Sequence, residues 1–153
     1  MAEAMTFDEN LAAAEGYLAR FAEAPLPHLI GGVATPSVSG ATFANQSPID
    51  GRHLGDVSAG DAADIDAAAK AATQGFGVWS AMSGVERKRI LHRVADLIEE
   101  KAHQIAVTEC VDTGQTMRFM GHAALRGAAN FRFFADQAPG ANDGQSLPTA
   151  YHV

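Results

Sequence analysis

Ser83-Gly84-Val85-Glu86-Arg87-Lys88-Arg89-Ile90-Leu91-His92-Arg93-Val94-Ala95-Asp96-Leu97-Ile98-Glu99-Glu100 is the stretch whose pattern decides the fold class. Ser83 and Glu86 have capping-box spacing, so each side chain can satisfy a backbone N–H that the first helical turn leaves free. Ile90, Leu91, Val94, Leu97, Ile98 and then Ile105 recur at helical intervals. Arg87, Lys88, Arg93, Glu99, Glu100 and Lys101 take the opposite face. That is an amphipathic helix with one side to bury. The pattern continues, with a kink expected near Lys101, through Val107 and Val111 to Asp112-Thr113-Gly114. Gly114 there supplies the left-handed residue that ends helices at low cost.

Working outward, Asp61 caps a preceding helix with Asp64 in its first turn. Ile65, Ala68, Ala69, Ala72 and Phe76 form its apolar stripe, Gly75 and Gly77 close it, and Trp79 packs where it meets the next helix. Downstream, a last helix is expected from about Arg118 to Ala138, stopped by Pro139-Gly140. Near the start, Phe7, Leu11, Leu18 and Phe21 predict a helix from Asp8 to Ala22, ended by Pro25 and Pro27. Between these helices Leu29-Ile30 reads as a strand entering a Gly31-Gly32-Val33 turn, and Thr35-Pro36-Ser37-Val38-Ser39-Gly40 as loop. Thr42 and Phe43 offer a short strand, Pro48-Ile49-Asp50-Gly51 a turn, and His53 to Val57 an antiparallel return. Asn142 to Gln145 reads as a turn, and Tyr151-His152-Val153 as the start of a further strand. Helices dominate a small antiparallel β portion. No β-α-β alternation is long enough for a dinucleotide-binding sheet.

Composition narrows the function classes. The 153 residues carry a net charge of −7, with 47 % hydrophobic and 19 % charged residues, which are globular values. An acidic chain without clustered Lys and Arg is unsuited to phosphate backbones, so no nucleic-acid partner is expected. No run of 18 apolar residues exists to span a membrane, and the acidic N-terminus lacks the features of a signal peptide. A single cysteine makes no internal disulfide. The expectation is a cytoplasmic chain.

Candidate chemistry is sparse. Cys110 lies on the apolar pattern beside Glu109 near a helix C-terminus, a setting that raises a thiol pKa and favours a packed, inert cysteine over a nucleophile. The six histidines form no pair at metal-ligand spacing with a third ligand nearby. No G-x-G-x-x-G or G-x-x-x-x-G-K-[ST] occurs. Arg126 shares a helix face with Arg118, His122 and Asn130. It suits bidentate capture of a carboxylate, or else an exposed charge or surface ion pair. Asp112 either hydrogen-bonds near the helix end or ligates a hard cation together with a backbone carbonyl from the hairpin.

Four segments then combine in order: Asn45-Gln46-Ser47-Pro48-Ile49-Asp50-Gly51, Phe76-Gly77-Val78-Trp79, Asp112-Thr113-Gly114 and Asn130-Phe131-Arg132-Phe133-Phe134-Ala135. With Glu86 to Leu91 and Ala95 to Glu99 between them, the chain from about His28 to Val153 resembles the N-terminal portion of NAD(P)-dependent aldehyde dehydrogenases. The semialdehyde dehydrogenases acting on hydroxymuconate-type substrates are the most similar branch. Residues 1–27 have no counterpart in that resemblance and read as an N-terminal helical extension; residues 28–153 read as an incomplete aldehyde dehydrogenase domain.

The resemblance implies an α/β aldehyde-dehydrogenase-like fold of which only the N-terminal part is present, with a small antiparallel hairpin and a truncated final strand. It implies that Arg126 holds a position contacting a substrate carboxylate. It further implies that Asp112, with Asn45 near a backbone contributor, belongs to a monovalent-cation site. Full-length members oxidise an aldehyde with NAD or NADP as cofactor and form homo-oligomers. Their cysteine nucleophile attacks the carbonyl, hydride leaves for the nicotinamide, a glutamate activates water and an asparagine holds the oxyanion. Those groups and the nucleotide loop come later in the family's chains and have no match here; Cys110 does not match the nucleophile. The expectation is therefore a fragment inactive alone, binding no cofactor by itself. The alternative is a non-catalytic helical module that binds a full-length homologue.

Overall fold

The computed structural model describes residues 5–141. Helix α1 (Phe7–Glu23) is followed by strands β1 (His28–Ile30), β2 (Val33–Thr35), β3 (Thr42–Gln46) and β4 (His53–Ser58). Four more helices complete the order: α2 (Ala62–Ala81), α3 (Gly84–Glu100), α4 (Ala102–Thr113) and α5 (Met117–Gln137), with a 3₁₀ turn at Ala138–Gly140. The strands form two separate antiparallel pairs, β1 with β2 and β3 with β4.

Capping chemistry sets the helix starts. Thr6 and Glu9, Asp61 and Asp64, and Ser83 and Glu86 each form a reciprocal capping box, opening α1, α2 and α3. Lys101 separates α3 from α4 where the kink is expected, and Gly114 ends α4 at φ 74° with its N–H donating to the Cys110 carbonyl.

The core lies between α3, α4 and α5 and is made of small side chains. Among the described residues, Ala95, Ala106, Val107, Ala124, Ala128 and Ala135 are the buried apolar ones. Alanines at these positions let helix backbones approach closely, which is why α3 and α5 form the most extensive contact among the described elements. The edge of this contact is clamped by charge. Arg132 on α5 donates from both guanidinium nitrogens to Glu99 and, at 2.8 Å, to Asp96 on α3. Asp136 accepts from Lys88 at 2.9 Å and pairs with His92 at 3.0 Å. At the end of this pair, Gly84 brings α3 so near the 3₁₀ turn that an added Cβ would lie 2.4 Å from the Ala138 carbonyl oxygen.

Two expectations need correcting. The β portion holds two hairpins, because Val33–Thr35 returns against His28–Ile30 across Gly31 and Gly32, both at positive φ. Helix α2 does not close at Gly75 and Gly77. Neither takes a left-handed φ, and the helix runs to Ala81, where extended Met82 and the Ser83 cap of α3 end it. The apolar stripe of α2 is not packed among the described residues: Ile65 is 67 % and Phe76 69 % exposed. Trp79 does sit where α2 meets its neighbour, lining a hollow with Arg87, Leu91 and Phe134. The strand expected at Tyr151 to Val153, which would be the truncated final strand, lies outside the described residues.

Candidate functional site

The β3–β4 hairpin is built to present Asn45. Ser47 is buried, its N–H donates to the Arg52 carbonyl and its hydroxyl accepts from the Ile49 N–H. Gly51 closes the turn at φ 74° and donates to the Ser47 carbonyl. The ladder pairs Asn45 with Gly55 and then Gln46 with His53, leaving Leu54 as an extra residue. A bulge of this kind bends one strand relative to its partner. Beside it, the Asn45 side-chain amide donates to Asp112 Oδ1 at 2.7 Å, joining positions 67 apart in the chain.

A second contact fixes the same junction. A Cβ on Gly114 would lie 3.3 Å from Pro48 Cγ, so the end of α4 rests on the hairpin turn. Thus two of the four sequence segments, Asn45 to Gly51 and Asp112 to Gly114, meet in space. They border a cavity of about 160 Å³ lined by Leu18, Phe21 and Leu26 on one side and Val57, Thr108 and Val111 on the other. Asp112 lies in the last turn of α4, where free carbonyls already make the potential negative. A carboxylate there needs a positive partner, a role the Asn45 NH₂ fills.

Arg126 stands apart from this junction. It is exposed on α5 together with Arg118, His122 and Asn130, and makes no ion pair among the described residues. The arginine of α5 that does make ion pairs is Arg132, which the spacing argument passed over. Its two acidic partners raise its already high pKa further and hold the Glu99 carboxyl below its usual range. Cys110 is half-buried, and burial together with Glu109 pushes its thiol upward, the wrong direction for a nucleophile.

Asp64 is the other residue whose role the sequence understated. It is only 3 % exposed. Its Oδ2 accepts from the Asp61 N–H at 3.0 Å and the Ser37 hydroxyl at 3.1 Å, and its Oδ1 from the Val38 N–H at 3.0 Å. These donors hold its carboxyl below the ordinary range, the backbone N–H groups of Asp61 and Val38 most strongly, with nearby His28 adding to the effect. Asp64 therefore ties the start of α2 to the loop after β2. The visible signal was the Asp61–Asp64 spacing, which suggests a cap but not the loop partners.

The fit to metals and cofactors follows from these groups. No group of three or more His, Cys, Asp or Glu converges among the described residues. Their left-handed glycines are Gly31, Gly32, Gly40, Gly51, Gly55 and Gly114, in the β-rich region and at the end of α4, and none opens a helix after a parallel strand. The described residues alone do not fit a dinucleotide.

The model of the aldehyde dehydrogenase family matches residues 35–153. The chain belongs to the aldehyde dehydrogenase family. Over 113 residues it is 41 % identical to 2-hydroxymuconic semialdehyde dehydrogenase of Pseudomonas sp. strain CF600, covering 72 % of this chain and 23 % of that protein. HpcC from Thermus thermophilus superposes with a TM-score of 0.84 at 38 % identity, over 92 % of this chain and 27 % of that one. PnpE from Pseudomonas sp. WBC-3 superposes at 0.74 with 35 % identity, over 83 % of this chain and 26 % of that one. PnpE has also been solved in complex with nicotinamide adenine dinucleotide. The chain thus spans about a quarter of the length of these proteins. No helix among the described residues is long and apolar enough to cross a membrane.

Proposed function

We propose that this chain supplies the N-terminal part of an NAD(P)-dependent dehydrogenase that oxidises a semialdehyde to a carboxylic acid, and that it is inactive alone. The observation that carries the reading is the Asn45–Asp112 junction, where two family segments distant in sequence form one hydrogen-bonded corner. The identity to a 2-hydroxymuconic semialdehyde dehydrogenase supports an aldehyde substrate that also bears a carboxylate.

In this reading Arg126 is the carboxylate anchor. Its guanidinium is exposed and makes no ion pair among the described residues, so two parallel N–H donors remain for a substrate. Asp112 and Asn45 form the corner at which a monovalent cation would be held. Asp112 Oδ2 accepts no hydrogen bond among the described residues, and a cation there would offset the same negative potential that Asn45 now meets. The compartment proposed is the cytoplasm, and the assembly a homo-oligomer of the whole enzyme.

Purified chain incubated with NAD or NADP and a panel of aldehydes should produce no reduced-cofactor absorbance. Chain-dependent turnover would overturn the inactive reading. The competing reading, a non-catalytic module, is favoured by exposed apolar residues on α3 and α5, among them Ile90, Phe119, Phe133 and Phe134, and co-elution with a full-length homologue would support it.

A further inference from the structure

Helix α1 differs from the other four helices in having no buried residue; Phe7 is 79 % exposed. Its C-terminal end is nevertheless anchored. Just beyond it, the Leu26 N–H donates to the Asp56 carbonyl at 2.8 Å, and the Leu26 carbonyl accepts from the Ser58 N–H at 2.9 Å. Gly55 admits the Phe21 carbonyl so closely that a Cβ would lie 2.5 Å from it.

Along its length α1 lies on α4 with Ala13, Ala14 and Leu18 half-buried, and one imidazole supplies its side-chain hydrogen bonds there. His103, in the first turn of α4, places Nε2 2.9 Å from Asn10 Oδ1 and Nδ1 3.1 Å from the Tyr17 hydroxyl. The Asn10 NH₂ donates to the carbonyls of Thr6 and Met5, at 2.9 and 3.2 Å, which fixes its oxygen toward His103. Nε2 then donates to Asn10 Oδ1, and Nδ1 shares the second hydrogen bond with the Tyr17 hydroxyl. The two rings also meet edge to face, 5.9 Å between centroids.

We propose that α1 is a hinged cover, anchored at Leu26 and latched at His103, whose opening exposes the face of α4 that carries Val107, Cys110 and Val111. Two spaces lie along that line. One separates Phe7, Leu11 and Ala14 from Val107, Cys110 and Met117; the other is the cavity bordered by Leu18, Phe21 and the Asn45–Asp112 pair. An element with no fully buried residue opens locally at low free energy, so two polar bonds added to half-buried Ala13, Ala14 and Leu18 weigh in keeping it shut.

Cys110 is the chain's single cysteine, which makes it a clean reporter of opening. The test is alkylation of the full chain by iodoacetamide, followed by mass, with amide hydrogen exchange measured in parallel. Tyr17→Phe removes one latch bond and keeps the ring, and should speed alkylation about fivefold; His103→Phe removes both and should speed it about twenty-fold. Exchange should rise in α1 while α3 and α5 keep their protection. Unchanged alkylation in Tyr17→Phe would overturn the proposal. Equal loss of protection in α3 and α5 would also overturn it, since the effect would then be general unfolding. If His103→Phe does not fold, Tyr17→Phe decides alone.

Discussion

Helices α2 and α3 follow each other in the chain and start with the same capping chemistry, yet they are packed unequally. Leu91, Val94 and Ile98 of α3 are half-buried, although Ile90 and Leu97 stay exposed on α3. Its Ala95 disappears against α5, and its acidic residues engage Arg132. The stripe of α2 stays exposed, and α2 is fastened to the described structure chiefly at its first turn by Asp64. An amphipathic pattern thus specifies that a face can be buried. It does not specify what buries it.

The sharpest break of this contrast is at Gly84. Gly84→Ala would drive a methyl into the Ala138 carbonyl and separate α3 from the 3₁₀ turn, an expected loss of about 3 kcal/mol in urea unfolding. Next comes the middle of the α3–α5 seam. Ala128→Leu adds three carbons where no space is left, and should cost about 2 kcal/mol. If it is tolerated without loss, close packing of small residues is not what holds this seam.

Acid should loosen the seam gradually. Glu86, Glu99, Asp136 and Asp64 all have folded pKa values below their ordinary ones, Glu99 chiefly through Arg132 and Asp136 chiefly through Lys88. A depressed carboxylate contributes stability that is present above its unfolded pKa, about 4, and is lost as pH falls through its folded value. Stability measured by urea midpoint should therefore hold from neutrality to about pH 5 and decline below about pH 4. The smallest effect is expected on α2, where Ile65→Ser should change stability by under about 0.5 kcal/mol. A larger loss would mean that its exposed stripe is packed after all.

Legibility in the sequence followed the locality of the signal. Capping boxes and helical spacing placed α1, α3, α4 and α5 within a residue or two, because those forces act within a few positions. Strand β2 was hidden because Thr35-Pro36-Ser37 reads as loop chemistry and its partner lies across a two-glycine turn. The end of α2 was misplaced because glycine weakens a helix without stopping it; Met82 and the Ser83 cap set the stop. For the site, the shared face of Arg118, His122, Arg126 and Asn130 followed from spacing alone. The meeting of Asn45 and Asp112 did not, since a hydrogen bond across 67 positions leaves no local pattern and only the family resemblance pointed to it. Arg132 and the loop partners of Asp64 were hidden for the same reason.

The central structural claim is that hairpin and α4 are joined at one corner, and a double-mutant cycle tests it most directly. Asn45→Ala, Asp112→Ala and the pair together should show a coupling of about 1 kcal/mol in unfolding free energy. Strictly additive losses would contradict the claim, because the two residues would then contribute independently rather than through each other.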